Sequence, residues 1–470
     1  MKKLHFLTLL LLFLAFTSCD PNDNDNNNNN NNDNFQENFG SEVSRDFMGR
    51  VVDINGDALQ GVNIKIGTST ATTDANGVFM IDGANVYQRF AYITATKAGF
   101  IDGSRAMVPT SGRNQVRIMM IPSTPIATIA SGASSEVSLP SGTKVVFDGA
   151  FEDENGNAYS GNVAVSMFHL LPSNANLSEL MPGMLYAADQ DNNERILQTF
   201  GMMNVELRGS GGQKLQIAQG HTAEIEMLID PSQMASSPST IPLWHFDEQS
   251  GYWKEDGMAT KTGNKYVGEV SHFSWWNCDA PFPTVSLTVH LMDTNGNPLS
   301  NMIVQLTSYT MNGLSGWTNL DGFVSGMVPS NVTLTLNVLG TGVCSGTILH
   351  TMQIGPFSAN TTLPDIVVSP SGPVFSTTIS GTLVQCDNSG VTNGYVSLIS
   401  GADFQVAEVT NGSFSFSALS CSPNATFTLQ GVDFENLQVT DSISYQYDSP
   451  EVFVGNLPAC TAVDEYQLST

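Results

Sequence analysis

From Arg45 onward the chain consists of short runs in which apolar and polar residues alternate. Residues 62–66 (VNIKI) and 203–207 (MNVEL) are two examples. A period of two places every second side chain on one face of an extended backbone, which is the pattern of a half-buried β-strand. No stretch of useful length shows the period of an amphipathic helix. The pattern therefore restricts the chain to an all-β fold.

Asn-Gly pairs separate many of these runs. Such pairs supply the positive φ angles that tight hairpin turns need. Many short strands with regular turn signals are typical of β-sandwiches. The sequence therefore predicts tandem β-sandwich modules, with Gly56 and Gly77 at positive φ. The pairs are Asn55-Gly56, Asn76-Gly77, Asn155-Gly156, Asn295-Gly296, Asn393-Gly394 and Asn411-Gly412.

The chain contains an internal repeat. Residues 51–62 align without gaps on 291–302, and residues 73–77 match 318–322. A weaker third copy begins with 391–396. In each copy a strand, an Asx/Gly turn and a second strand are followed by a longer connecting segment, a second turn and a third strand. Asp or Asn caps such a turn through its side chain, and Gly takes the left-handed position.

The N-terminus resembles a bacterial lipoprotein leader. Lys2 and Lys3 precede a largely apolar stretch over 4–16, which is too short to span a bilayer but suits the core of a signal peptide. The stretch ends in Phe-Thr-Ser-Cys at 16–19. This resembles a lipobox, in which the cysteine is acylated. The resemblance implies a signal peptide over 1–18 and an outer-membrane anchor through Cys19. Ordinary cleavage beside an incidental cysteine is the alternative.

An acidic, asparagine-rich segment follows Cys19. Residues 20–36 are almost entirely Asn and Asp, with seven consecutive Asn at 26–32. Such a composition cannot bury a core, so we expect a disordered tether over 19–44. Its acidity resembles the surface-export signal of Bacteroidetes lipoproteins, which implies exposure at the cell surface. A plain spacer is the alternative.

The charge balance restricts the possible partners. There are 17 Lys and Arg against 44 Asp and Glu, a net charge of −27. Such acidity argues against nucleic acid and against anionic lipid surfaces. At about 150 residues per domain, 470 residues suggest three or four domains. We place the modules at 45–122, 123–281, 282–370 and 371–470.

The first module resembles the carboxypeptidase regulatory-like family. The resemblance implies a small transthyretin-like sandwich with an accessory, non-catalytic role. The third and fourth modules resemble it less and are expected to be Ig-like or transthyretin-like. The residues that carry the resemblance are Gly49, Val51, Asp53, Gly56, Leu59, Gly61, Val62, Gly67, Thr73, Asp74, Gly77 and Phe79.

The larger second module resembles the extracellular module of the cartilage intermediate layer proteins. Its end also resembles the sandwich shared by netrin receptors, ankyrins and zonula occludens proteins. Both resemblances imply a structural or interaction role. The segments that carry them are 161–165, 182–183, 215–220, 241–247, 251–257 and 271–279.

One tripeptide in the second module suggests chemistry. His272-Phe273-Ser274 resembles a motif that undergoes self-cleavage in related modules, where the His activates the Ser hydroxyl against the Phe carbonyl. Cleavage at Phe273-Ser274 needs a strained peptide bond and an imidazole close to the Ser oxygen. The alternative is that Phe273 belongs to the core of a terminal strand, with His272 and Ser274 on the other face.

Two further residue sets suggest binding. The Asp-containing turns at Asp53, Asp74, Asp153 and Asp293 suggest calcium, but none completes an EF-hand loop, so turn capping is the preferred interpretation. Asp189, Asp191 and Glu194 form one acidic loop, which is a better candidate for an ion site than these turns, although a solvated face is the commoner role of such a loop. Core packing is likewise preferred over a sugar-stacking platform for the aromatic residues, which are Trp244, Phe246, Tyr252, Trp253, Trp275 and Trp276.

The cysteines after Cys19 are expected to form disulfides, which exported proteins permit. They are Cys278, Cys344, Cys386, Cys421 and Cys460. We expect a Cys278–Cys344 bridge between neighbouring modules and one bridge in the last module. Cys386–Cys460 and Cys386–Cys421 both remain open there. Their spacing does not suit a zinc site.

These features predict a cell-surface lipoprotein with a binding, adhesion or scaffolding role. We expect no cofactor, no metal and no conventional enzyme activity, with a protein or glycan as partner. The alternatives are a carbohydrate-binding component of a glycan-uptake system and a self-cleaving surface module. Exposed aromatic side chains in one row would favour the glycan-binding alternative.

Overall fold

The computed structural model describes residues 34–308, 314–369, 375–401, 403–422, 424–447 and 450–462. The predicted signal peptide, Cys19 and residues 20–33 lie outside the described residues. Within the described residues, no helix is long and apolar enough to cross a membrane.

The first module is a sandwich of a three-stranded and a four-stranded sheet, ordered β4-β1-β7 and β3-β2-β5-β6. Its core lies between them, and Val51, Ile64, Phe79, Ile93 and Ile118 are all nearly or fully buried. The alternating burial of the strands matches the period of two in the sequence. The strands are β1 (Glu42–Asp53), β2 (Asn63–Ile66), β3 (Ser69–Thr72), β4 (Val78–Tyr87), β5 (Ala91–Thr96), β6 (Gly103–Met107) and β7 (Arg113–Met120).

The predicted tether ends earlier than expected. A 3-10 helix spans Asn34–Phe39, and β1 begins at Glu42. Phe35 is fully buried and Phe39 is 2% exposed. Two phenylalanines can bury a large apolar area, which offsets the cost of ordering the segment. The module start expected at residue 45 is therefore wrong, because residues 34–39 and 42–44, which were assigned to the tether, form a 3-10 helix and the start of β1.

The second module is one extended sheet that curls over its own core. A single α-helix, α1 (Leu177–Leu180), and a 3-10 helix, Pro231–Gln233, lie between strands. The strands are β8 (Ala127–Ala130), β9 (Ser135–Ser138), β10 (Lys144–Phe147), β11 (Phe151–Asp153), β12 (Asn162–Leu170), β13 (Tyr186–Ala188), β14 (Glu194–Gly209), β15 (Lys214–Ile217), β16 (Ala223–Leu228), β17 (Thr240–Asp247), β18 (Tyr252–Thr262), β19 (Lys265–Val270) and β20 (Trp275–Met292).

Strand β20 belongs to two modules. Its first half pairs with β14 and β17 of the second module. Pro283 is the last residue paired with β14, and Thr284 begins the pairing with the third module. The boundary expected between residues 281 and 282 therefore falls inside a continuous strand. No flexible linker separates the two modules at this point.

The third module resembles the first, with two short strands, β26 and β27, along one side of its long strand. β20 pairs with β23, β26 and β27, and the second sheet has the order β22-β21-β24-β25. A 3-10 helix spans Gly342–Cys344. The strands are β21 (Ile303–Thr307), β22 (Leu314–Trp317), β23 (Phe323–Pro329), β24 (Leu334–Leu339), β25 (Ile348–Ile354), β26 (Thr361–Thr362) and β27 (Ile366–Val367).

The fourth module packs a β31-β28-β35 sheet on a larger one. The expected boundary between residues 370 and 371 lies outside the described residues. The strands are β28 (Phe375–Val384), β29 (Gly394–Ser400), β30 (Asp403–Glu408), β31 (Ser413–Ser420), β32 (Thr426–Asp433), β33 (Gln438–Val439), β34 (Ile443–Gln446), β35 (Glu451–Pro458) and β36 (Thr461–Ala462).

The predicted repeat is visible in the topology. In the first, third and fourth modules a long strand pairs antiparallel with one neighbour and parallel with a strand near the end of its module. Thr73 and Thr318 also make matching bonds. Each hydroxyl donates to a leucine carbonyl, of Leu59 or Leu299, and accepts a backbone N–H. The sequence repeat therefore marks a structural repeat.

The Asp-containing turns use their carboxylates to cap the backbone. In Asp53, Asp74, Asp153 and Asp293, Oδ1 accepts two backbone N–H groups at distances of 2.8–3.0 Å. Gly56 and Gly77 have φ angles of 87° and 73°, which confirms the positive φ predicted for both. The turns thus follow the capping interpretation rather than the calcium one.

The disulfide pairing differs from the predicted one. Cys344 bonds to Cys421, and Cys278 is a buried free thiol, so the expected Cys278–Cys344 bridge is wrong. The second bridge is Cys386–Cys460, which was one of the two open alternatives. Cys278 points into the core of the second module, so its side chain is not available to a neighbour. The Cys344–Cys421 bridge joins the third module to the fourth.

Gly77 should tolerate substitution less well than Gly56. A Cβ at residue 77 would lie 2.3 Å from the Val51 carbonyl oxygen, whereas one at residue 56 meets nothing within 4 Å. Strain at positive φ alone costs about 1–3 kcal/mol. We therefore expect Gly77→Val to lower the urea midpoint clearly, and Gly77→Ala to lower it more than Gly56→Ala. Equal midpoints for the two alanine variants would contradict the turn geometry.

Peptide mapping without reduction should recover two linked pairs, Cys344 with Cys421 and Cys386 with Cys460. Cys278 should react with an alkylating agent only after the protein is unfolded. The bridges close loops of 77 and 74 residues, so each should stabilise the fold by about 4 kcal/mol in the chain-entropy model. Recovery of a Cys278–Cys344 peptide would contradict this pairing.

Candidate functional site

The His272-Phe273-Ser274 segment lies directly before β20, at one rim of the second module. Phe273 is 4% exposed and packs in the core, while His272 and Ser274 are half-buried. Gln216 holds the segment by both backbone groups of Phe273. It accepts the Phe273 N–H at 2.7 Å and donates to the Phe273 carbonyl at 2.8 Å. This placement agrees with the core interpretation of Phe273.

The imidazole of His272 faces other aromatic rings. Its centroid lies 4.7 Å from that of His245 and 5.1 Å from that of Trp276. The Ser274 hydroxyl donates to the Trp275 carbonyl at 3.1 Å. Among the hydrogen bonds of the described residues, none joins the His272 ring to the Ser274 oxygen. The contact that self-cleavage requires is therefore not formed in this arrangement.

A different set of residues converges on His272. His245 on β17, Asp256 on β18 and His272 place one ligand atom each within 4.8 Å of one another. The two imidazoles are half-buried and the carboxylate is exposed. The sequence predicts no metal site and gives no sign of His245 and Asp256, because no spacing motif joins the three residues. Only the pairing of β17 with β18 and β20 brings them together.

Both histidines are held in their neutral form. Burial lowers the pKa of His245 to about 4, and the neighbouring His272 adds to this effect. Burial also lowers the pKa of His272. A protonated imidazole is costly where water is partly excluded, so both rings stay uncharged at neutral pH. The neutral ring is the form that coordinates metal ions.

The predicted aromatic set is buried rather than displayed. All of its members are at most 2% exposed, so the sugar-stacking platform is wrong for these side chains. Trp276 packs in the core of the second module. The others form one cluster with Phe35, Phe39 and Phe90. They are Trp244, Phe246, Tyr252, Trp253 and Trp275.

This cluster joins the first module to the second. The ring of Phe39 stacks on that of Phe90 at 4.2 Å, and Phe35 lies 4.5 Å from Tyr252. At its edge Arg89 forms an ion pair with Glu194 at 3.0 Å. Large aromatic rings dominate the energetics of such contacts because each buries a large area. The aromatic face of the second module is thus a docking face for the first.

The fourth module contacts the first through a buried polar group. The Tyr395 hydroxyl donates to Asp74 at 2.6 Å and accepts from Asn76 at 2.9 Å. Arg113 is 8% exposed and binds Glu408 through two N–H groups, at 2.6 and 2.7 Å. Two-point Arg–carboxylate pairs are among the stronger and more specific polar contacts. The contact therefore fixes orientation as well as proximity.

The third module also contacts the first. The guanidinium of Arg117 lies 3.6 Å from the centroid of Trp317, and its Nη2 donates to Asn301 at 2.6 Å. Asn319 donates to the Thr110 hydroxyl at 3.0 Å. Asn319 occupies the position in the third module that Asp74 occupies in the first. The equivalent turns of the two modules therefore both take part in contacts between modules. The first module therefore touches each of the other three.

The acidic loop predicted at 189–194 is engaged in structural contacts. Asp189 caps its own turn and pairs with Arg195 at 2.6 Å. Glu194, besides pairing with Arg89, accepts from the Tyr186 hydroxyl at 2.5 Å. The backbone N–H of Asp191 donates to Asp189. Turn capping and module contact account for the carboxylates of Asp189 and Glu194.

A cavity of about 160 Å³ lies where the first three modules meet. Its walls are mostly apolar and include Met181, Trp317 and Met327. Arg105 also lines it, and burial lowers the pKa of this guanidinium to about 10, so it stays charged at neutral pH. Three modules form the walls, so the shape of the cavity depends on the contacts made by the first module.

One buried acid lies further along β20. The Asp279 side chain is fully buried and accepts from the Asn277 amide. Burial raises the pKa of Asp279 well above its ordinary value, and it also raises that of the neighbouring Cys278. Asp279 is therefore held as the neutral acid. Its place in the core gives it a structural role.

Comparison with known proteins finds limited similarity. No family model matches the chain. Cartilage intermediate layer protein 2 of Homo sapiens is 27% identical over 125 residues, covering 27% of this chain. The same protein of Mus musculus is 26% identical over 131 residues, covering 28% of this chain. The chain spans only 11% of the length of either relative.

Among solved structures, the shaft pilin SpaA of Lactobacillus rhamnosus GG aligns with a TM-score of 0.20 and 9% identity, covering 38% of this chain and 98% of the pilin. A DUF3823 family protein from Parabacteroides merdae aligns with a TM-score of 0.19 and 14% identity, covering 32% of this chain and 91% of that protein. Scores this low identify no shared function.

Removing the buried acid should stabilise the protein. Because the folded state keeps Asp279 protonated, it binds more protons than the unfolded state above about pH 4. Stability is then lost as pH rises. We expect Asp279→Asn to raise the melting temperature more at pH 8 than at pH 5, whereas the exposed Asp441→Asn should change little. A lower melting temperature for Asp279→Asn at both pH values would contradict this account.

Proposed function

We propose that the chain is an acylated, surface-exposed lipoprotein whose four modules form a rigid unit for binding, adhesion or scaffolding. Three features support this. The N-terminus has the residues of a lipobox at Cys19, the net charge is −27, and two disulfides join residues of the last two modules. Disulfides persist in oxidising compartments outside the cytoplasm.

The observation that carries the proposal is the position of the first module. It follows the tether directly and contacts the second, third and fourth modules. Such contacts hold the outer faces of all modules in one fixed arrangement. A fixed arrangement lowers the ordering cost of binding a large partner. The partial similarity to cartilage intermediate layer protein 2 supports a structural role.

The glycan-binding alternative loses its main support. The aromatic residues that would stack on sugar rings are buried, Trp276 in the core of the second module and the others in the cluster shared with the first module. The self-cleaving alternative is weakened as well, because Ser274 bonds to a backbone carbonyl while the His272 ring faces His245 and Trp276. A non-catalytic interaction role therefore accounts for more of the contacts.

Cys19→Ala should release the protein from the membrane. The acyl chains are attached to that thiol, and stable anchoring takes more than one chain. We expect wild-type protein to incorporate a fatty-acid analogue and to be removed from intact cells by added protease. The Cys19→Ala protein should carry no label and should not pellet with outer membranes.

Ser18→Ala is the matched control, because it alters the neighbouring residue and keeps the acylated thiol. It should remain labelled and membrane-bound. Labelling of the Cys19→Ala protein would contradict the lipid anchor. Normal anchoring combined with full resistance to protease on intact cells would contradict surface exposure alone.

A further inference from the structure

We propose that His245, Asp256 and His272 form a binding site for a divalent transition-metal ion of the zinc type. The site goes beyond the proposed surface role and does not depend on it. It lies at the rim of the second module, where the β17–β18 hairpin meets the segment that leads into β20. The three residues supply two imidazole nitrogens and one carboxylate oxygen.

The donor set selects the class of ion. Zinc takes imidazole and carboxylate ligands in four-coordinate sites, and sites with three protein ligands keep a fourth position for water or another ligand. Calcium and magnesium prefer oxygen ligands alone, so two imidazoles disfavour them. Imidazole also suits copper and nickel, which makes the site one for late first-row metals in general.

The geometry requires only a small adjustment. The three ligand atoms already lie within 4.8 Å of one another. Ligands at about 2.1 Å from a tetrahedral ion are roughly 3.3 Å apart. Asp256 is exposed on its strand, and its carboxylate can rotate inward by about an ångström at little cost.

The histidines are held in place by their surroundings. The Trp276 indole N–H donates to the backbone carbonyl of His272 at 2.9 Å, and Gln216 fixes the next residue on both sides of its backbone. His245 is paired with Trp276 across β17 and β20. Trp276 is 1% exposed, so it forms an apolar floor beneath both imidazoles. Supporting contacts of this kind raise the affinity of a metal site.

The surrounding charges permit a cation. Lys254 faces the same side of the sheet as His245, but its ammonium pairs with Asp247 at 2.8 Å. The Asp256 carboxylate offsets one positive charge of the ion. Because Asp256 is exposed, the fourth coordination position opens to solvent. A bound ion would add a further link between β17, β18 and the 272–274 segment, beside the hydrogen bonds of the sheet.

The site also gives His272 a role that the self-cleavage resemblance does not. A metal bound by its imidazole would hold the ring toward His245. The same side chain cannot then act as a base toward Ser274. His272 thus belongs to a metal site to which β17, β18 and the 272–274 segment contribute one ligand each.

The test is equilibrium dialysis of the metal-free soluble chain, residues 20–470 with its disulfides intact, against Zn²⁺. We expect one bound ion per chain and a rise in melting temperature with free zinc, since an ion that binds only the folded state stabilises it. Titration with Co²⁺ should produce visible absorption bands of a four-coordinate ion with nitrogen and oxygen ligands.

Two variants and one control identify the residues. Asp256→Asn alters an exposed side chain and should leave folding intact, yet weaken zinc binding by more than about tenfold. His272→Gln should do the same. The control is His221→Gln, which removes an exposed histidine that bonds to Asp148 at 2.5 Å and lies outside the three-residue cluster. It should bind zinc like the wild type.

The proposal is overturned if the wild-type chain binds no zinc at micromolar concentration. It is also overturned if Asp256→Asn and His272→Gln both retain wild-type affinity, or if His221→Gln alone abolishes binding. Near-ultraviolet circular dichroism of each variant shows whether weakened zinc binding comes from removal of a ligand side chain or from unfolding of the protein. A variant with a native spectrum and weakened binding supports the assignment.

Discussion

Burial of the aromatic face of the second module is the constraint on which the arrangement of the four sandwiches depends. Tyr252, Trp253 and their neighbours would expose a large apolar patch if the second module stood alone, and such patches mark interfaces. The first module and the Asn34–Phe39 helix cover that face with Phe35, Phe39 and Phe90. Once the first module is docked there, its remaining faces meet the third and fourth modules. The polar contacts at those faces then set the angles between sandwiches.

A continuous strand and a disulfide bond also hold the modules in this arrangement. Strand β20 passes without a break from the second module into the third, so the two share a hydrogen-bonded sheet. The Cys344–Cys421 bridge links the third module to the fourth. Tyr395 and Glu408 return the fourth module to the first. The four modules therefore form a closed set of contacts rather than a linear row, and a closed set resists bending at any one junction. Rigidity of this kind suits a protein that presents a surface.

Local features were readable from the sequence, and features that depend on pairing between distant segments were not. The period of two and the Asn-Gly turns predicted strands and positive φ at Gly56 and Gly77, because both are properties of a few neighbouring residues. The sequence repeat predicted a shared topology for the first, third and fourth modules, because its turn residues also lie close together in the sequence. By contrast, the partner of Cys344 depends on how two modules pack. Any two cysteines can form a disulfide, so their positions in the sequence do not show which one lies beside Cys344. The burial of the aromatic residues likewise depends on how the first module packs against the second. His245, Asp256 and His272 lie at 11- and 16-residue separations that match no ligand motif, and only the register of β17, β18 and β20 brings them together.

Small-angle X-ray scattering of residues 34–470 tests most directly whether the first module holds the others in one unit. We expect a distance distribution with a single peak and a radius of gyration within a few ångström of the roughly 22 Å of a compact chain of this length. Raising the ionic strength should not separate the first module from the second, because the aromatic junction between them is apolar. A much larger radius with several separated peaks, as modules in a flexible row would give, would contradict the account.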